Sequence, residues 1–137
     1  HGEVKVWNVA ARKETATVRA FQKDDVRCLV FSSDGASIAA GGPSGVKFRY
    51  LRAGLEKNGF DASDLEANAL AFSPDGKRLA VGTQDGPVVL LDTAAGKIEA
   101  TIKAHERPVR GVAFSPDGRW LVSGGFDHLL KLWNGAR

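Results

Sequence analysis

An all-β architecture of repeated four-stranded antiparallel units is what this sequence predicts, and three observations point to it. The pentapeptide FSSDG at Phe31 to Gly35 returns as FSPDG at Phe72 to Gly76 and at Phe114 to Gly118, 41 and then 42 residues on. The segments EVKVWN (Glu3 to Asn8), GVKFRY (Gly45 to Tyr50), PVVLLD (Pro87 to Asp92) and LLKLWN (Leu129 to Asn134) align without gaps, each 42 residues after the last. The runs between turns are short, alternating and rich in β-branched and aromatic residues, with no helical spacing. A period of about 40 to 45 residues filled with short strands and glycine-rich turns is the signature of propeller blades.

In order along the chain, residues near 3 to 8 and 14 to 20 read as two outer strands. Two four-stranded blades follow. In the best-formed unit VRGVAF (109 to 114), RWLVSGG (119 to 125) and LLKLWN (129 to 134) read as three antiparallel strands, and KIEATIKA (97 to 104) is the fourth strand of the unit before it. Connections repeat as well: DTAAGKIEATI from Asp92 parallels NVAARKETATV from Asn8. In Ser-Pro-Asp-Gly, proline fixes φ early in the turn, aspartate bonds to the backbone ahead, and glycine takes the positive φ that returns the strand. The pentapeptide is therefore a hairpin instruction given once per blade, and Phe31, Phe72 and Phe114 are expected to point into the space between blades. Residues 52 to 66, RAGLEKNGFDASDLE, lose the outer-strand pattern and read as an irregular loop carrying a short strand, with a candidate contact surface.

Composition bounds the function. A chain of 137 residues with 43% apolar residues can build one domain core. The net charge of +3 is small and scattered, which argues for neither nucleic acid nor a membrane as partner. No window approaches the roughly 18 apolar residues of a span, and no cleavable signal opens the chain; with a single cysteine these features point to the cytoplasm. Cys28, in VRCLVF, reads as a reduced, buried thiol, so no disulfide framework exists. His1, His105 and His128 lack ligand spacing, and GGPSG (Gly41 to Gly45) lacks the Lys-Ser/Thr ending of a phosphate loop, so neither metal nor cofactor is expected.

The unit from Ala104 to Asn134, AHERPVRGVAFSPDGRWLVSGGFDHLLKLWN, resembles the WD-repeat family of β-propellers, with Ala-His for the family's Gly-His and Trp-Asn for its Trp-Asp. The resemblance implies a buried hydrogen-bonded tetrad of His105, Ser123, Asp127 and Trp133. Carboxylate, imidazole, hydroxyl and indole N–H can satisfy one another in that order. Although the set contains Ser, His and Asp, a hydroxyl locked against an indole lacks the access a nucleophile needs. The first two blades depart from the pattern. Arg49 and Leu91 stand at the Trp position, Pro43 and Asp85 at the Asp position, and Ala39 and Val81 at the Ser position, so those blades are expected to rely on packing alone.

The resemblance further implies a non-enzymatic scaffold that holds a protein or peptide partner where the inner strands begin. By that analogy the contact positions are Arg27, Asn68 and Arg110, four residues before each repeated phenylalanine, with Gln84, Phe126 and His128 beside the turns. Strand counting predicts one partial propeller over residues 1 to 137 that begins and ends in mid-blade, completed by a longer chain or shared with further copies of itself. The start at His1 and the absence of Met point the same way, or to an engineered or excised repeat array that closes by self-assembly. An enzyme with its active site in the central channel is the third reading, because fold alone does not decide function.

Overall fold

A computed structural model describes residues 2–21, 23–51 and 59–134. Thirteen strands make up its regular structure: β1 (Gly2–Asn8), β2 (Lys13–Phe21), β3 (Cys28–Phe31), β4 (Ser37–Gly42), β5 (Gly45–Tyr50), β6 (Phe60–Ala62), β7 (Ala67–Phe72), β8 (Arg78–Thr83), β9 (Val88–Asp92), β10 (Lys97–Ile102), β11 (Val109–Phe114), β12 (Trp120–Gly125) and β13 (Leu130–Asn134). They form antiparallel sheets of two strands (β1-β2), four (β3 to β6), four (β7 to β10) and three (β11 to β13), each in chain order. The predicted blades are present, and the sheets do not close into a ring among the described residues. The short strand expected in the irregular connection is β6, paired with β5 through Phe48 opposite Phe60. Residues 52–58 of that connection lie outside the described residues.

The three hairpin turns share one hydrogen-bond pattern. Gly35, Gly76 and Gly118 donate their N–H to Ser32, Ser73 and Ser115 carbonyls at 2.9 Å, with φ of 71, 73 and 74°. This is the type I turn closed by a left-handed residue that suits a hairpin with a bulge. Serine has a role that the sequence reading did not assign. Its hydroxyl donates to the aspartate two residues on at 2.6 Å in all three turns, and accepts the N–H of Ser37, Arg78 or Trp120 at 3.0 Å. The turn therefore persists in the first blade, where Ser33 replaces proline.

Blades stack face to face through three apolar clusters. Val4, Ala20 and Phe21 of the β1-β2 hairpin cover Ile38 and Ala40. Ala39, Val46 and Phe48 of the first blade meet Leu70, Phe72, Leu79, Val81, Val89 and Leu91 of the second. The opposite face of the second blade, with Ala80, Val88 and Leu90, packs on Val109 and Leu121 of the third. The close approach of neighbouring blades requires glycine at position 82, where a Cβ would stand 2.6 Å from Val109 Cγ1.

Phe72 is buried and Phe114 is half-buried between blades, as their position predicts. Phe31 is not; it is 58% exposed, because the β1-β2 hairpin packs on β4 and leaves the equivalent face of β3, with Leu29, uncovered. At the other end of the stack Leu130 is 80% exposed and Leu132 64%, on the face of the third blade turned away from the second.

Candidate functional site

The inner strands β3, β7 and β11 all begin at one end of the stack, where the β4-β5, β8-β9 and β12-β13 turns also lie. At this end the structure brings together five of the six predicted contact residues in two groups, with the sixth, His128, two residues beyond Phe126 in the same turn.

In the first group Arg27 donates from Nη1 to Asn68 Oδ1 at 2.9 Å and lies 3.4 Å from Glu66 Oε1. Asn68 in turn donates from Nδ2 to Gln84 Oε1 at 2.7 Å. Gly42 and Pro43 provide no polar side chain at the turn of the first blade, so Arg27 leans across to the second. In the second group the Arg110 guanidinium stacks over the Phe126 ring, 4.8 Å from its centroid. Asn68 with Gln84 and Arg110 with Phe126 are the same pair of positions one repeat apart, each joining the start of an inner strand to the neighbouring turn. Backbone bonds fix that geometry: Gln84 N–H donates to the Glu66 carbonyl at 2.9 Å and Phe126 N–H to the Pro108 carbonyl at 3.0 Å.

Immediately behind this surface stands the tetrad. His105 Nδ1 donates to Asp127 Oδ2 at 2.7 Å. With its proton on Nδ1, the ring accepts the Ser123 hydroxyl at Nε2, at 2.9 Å, and Trp133 Nε1 donates to the same Ser123 Oγ at 3.1 Å. Ser123 is fully buried, and its hydroxyl is engaged on both sides, so it offers no attacking oxygen to solvent. Asp127 also accepts the Leu129 N–H at 3.1 Å. The network therefore pins the turn on which Phe126 and His128 are displayed, and it holds His128 at a φ of 66°, a left-handed conformation that a side chain seldom adopts unaided.

Burial works to raise the Asp127 pKa, but the His105 hydrogen bond, the Leu129 amide and the charge of Lys131 outweigh it and hold the carboxyl below 3.8. A depressed carboxylate stabilises the fold above its unfolded value and loses that contribution as pH falls through the folded value. Asp127→Asn is thus expected to lower stability at pH 5, with the gap to the parent protein closing below about pH 4. Urea denaturation of both proteins from pH 5 to pH 2 tests this, and a gap independent of pH would contradict it.

The first two blades solve the same position differently. In the second, Val81 and Leu91 join the apolar cluster, as expected of packing alone. The first blade corrects that expectation. Arg49 Nη1 contacts Asp61 Oδ1 at 2.8 Å and donates to the carbonyls of Phe48 and Phe60, while Lys47 reaches Asp61 Oδ2 at 2.8 Å. The guanidinium is largely buried, and a buried cation needs such partners. Asp61 comes from the connection that carried no family pattern, so sequence reading had no signal for the pair.

Elsewhere, burial pushes the Cys28 thiol up to about 11, against smaller opposing effects from Gly41 and Arg27, which keeps it protonated and unreactive. GGPSG is the β4-β5 turn. Among the described residues no three His, Cys, Asp or Glu side chains converge to hold a metal ion. At the opposite end of the stack a groove of about 640 Å³ runs between the hairpin turns of the second and third blades. Its Arg78 and Glu99 are paired at 3.1 and 3.2 Å.

Comparison with known proteins agrees with this architecture. The family model described as "WD domain, G-beta repeat" matches residues 12–47, 59–86 and 96–134, well over half of the chain. WD repeat-containing protein 1 of Xenopus tropicalis is 31% identical over 138 aligned positions, covering 98% of this chain and 20% of its own length. Human WD repeat-containing protein 3 is 31% identical over 112 residues, 82% of this chain and 12% of its own. The WD40 repeat protein poxJ of Penicillium oxalicum is 40% identical over 67 residues, 46% of this chain and 19% of its own. The chain thus spans about an eighth to a fifth of the length of these relatives.

Proposed function

The chain belongs to the WD-repeat family, and from that premise we propose that it is a non-enzymatic interaction module, a partial propeller that holds a protein or peptide partner at the end where its inner strands begin. WD-repeat proteins are in general interaction scaffolds. The observation that carries the reading for this chain is the row Arg27, Asn68, Gln84, Arg110, Phe126 and His128. These residues come from three blades, are braced by one another and by the tetrad, and face one end. A partner meeting them finds directed donors and an exposed aromatic ring that need little further ordering, and such groups dominate binding energy at interfaces.

The uncovered faces bearing Leu29 and Phe31, and Leu130 and Leu132, support a second element of the proposal. Further blades, in the same polypeptide or in another copy, complete the propeller by covering them, as blade faces cover each other within the stack.

Peptides selected from a random display library against the chain test the first element. Asn68→Ala with Arg110→Ala is expected to weaken the selected peptides at least tenfold, with thermal melts of the variant confirming its fold, since Asn68 is half-buried and bonded to Arg27 and Gln84. Unchanged affinity, with loss instead on substituting Lys77 and Arg119 near the opposite end, would overturn the assignment.

A further inference from the structure

Resting on that reading of the surface, we propose that the partner segment is an acidic, extended peptide whose carboxylate is received by Arg110. Among the described residues Arg110 is the best-prepared anion receptor. Its guanidinium carbon lies over Phe126, 4.8 Å from the ring centroid, yet among the described residues no carboxylate lies within ion-pair distance of it. The ring contact holds the guanidinium in place and leaves N–H groups for a planar, bidentate acceptor, which a carboxylate provides.

Arg27 is the secondary position. It keeps its charge near Glu66 at 3.4 Å and is oriented by Asn68, so it can steer an acid but is already partly neutralised. Arg27 immediately precedes the first of the three inner strands and Arg110 lies on the third, with Asn68 of the second between them. An extended chain that crosses the row, at about 3.3 Å per residue, therefore meets Arg27 and Arg110 at positions several residues apart. Two acidic residues at that separation match the row, with the amide pair of Asn68 and Gln84 beneath the intervening backbone.

Charge distribution selects the peptide over a nucleic-acid strand. Glu66 and the exposed Asp85 and Glu106 belong to this same end, and they repel a backbone with one phosphate per residue while leaving room for separated carboxylates.

Nine-residue fluorescent peptides carrying two Glu at separations of three to seven, with matched Gln and Lys versions, provide the test by anisotropy. The tightest Glu peptide of the series is expected to bind at least tenfold more tightly than its Gln version. Arg110→Glu should abolish that preference and favour the Lys version, while Phe126→Ala should weaken the Glu peptide several-fold. Thermal melts of both variants confirm folding. Equal affinity of Glu and Gln peptides, no binding of any Glu peptide, or equally tight binding of a short single-stranded oligonucleotide would overturn the proposal. Display-selected neutral or basic peptides lost on Asn68→Ala would overturn only the acidic chemistry and leave the surface assignment standing. Glu-peptide binding indifferent to Arg110→Glu would overturn both.

Discussion

Leu91→Ala is expected to lower the unfolding free energy by about 2–5 kcal/mol, the range for deleting a fully buried leucine side chain where neighbours relax only in part. Leu91 is completely buried opposite Leu79, in the cluster that joins the first and second blades. It occupies the position of Trp133 one repeat later and has no polar network to share the load. Leu132→Ala, on the uncovered face of the third blade, is expected to change stability by no more than about 0.5 kcal/mol in the isolated chain. Paired urea denaturation curves make the comparison. A Leu132 effect as large as that of Leu91 would show that its face is covered in solution, and a small Leu91 effect would contradict the blade stacking.

His105→Ala carries the second large effect. It removes the ring partner of both the Asp127 carboxylate and the Ser123 hydroxyl, and the unmet donor on the buried Ser123 hydroxyl costs about 1–3 kcal/mol. Asp85→Ala supplies the contrast. Asp85 stands one repeat before Asp127, but Val81 and Leu91 replace the network around it and its side chain is exposed, so near-neutrality is expected. The indole N–H of Trp133 gives an independent readout by NMR. Its protection from solvent exchange should fall in His105→Ala and persist in Asp85→Ala. Loss of the tetrad also frees the turn that displays Phe126, so peptide affinity at Arg110 should fall beyond what global unfolding accounts for.

Much of this was legible in the sequence because the repeat is a local code. Ser-Pro-Asp-Gly fixes its own turn within five residues, and the 42-residue period places each strand against its counterpart, so strands β9 to β13 fall within a residue or two of the predicted limits. The tetrad was legible only through the resemblance to the WD-repeat family, because all four members lie in the one unit that matches the family's pattern. Contacts that join different units were not. Arg27 was read as a contact position, but nothing local shows that it leans on Asn68 in the next blade, nor that Arg49 finds Asp61 in a connection without repeat character. The serine of the turn was passed over because its bonds run to both sides of the hairpin at once. Exposure of Phe31 depends on which element covers β3, and a repeat read as an average treats every blade as flanked.

The most direct measurement is an amide chemical-shift map of the isotope-labelled chain titrated with a display-selected peptide. The account predicts shifts centred on Arg27, Asn68, Gln84, Arg110, Phe126 and His128, spread across three blades at one end. Shifts confined to the hairpin turns around Asp75 and Asp117, beside the groove at the opposite end, would contradict it.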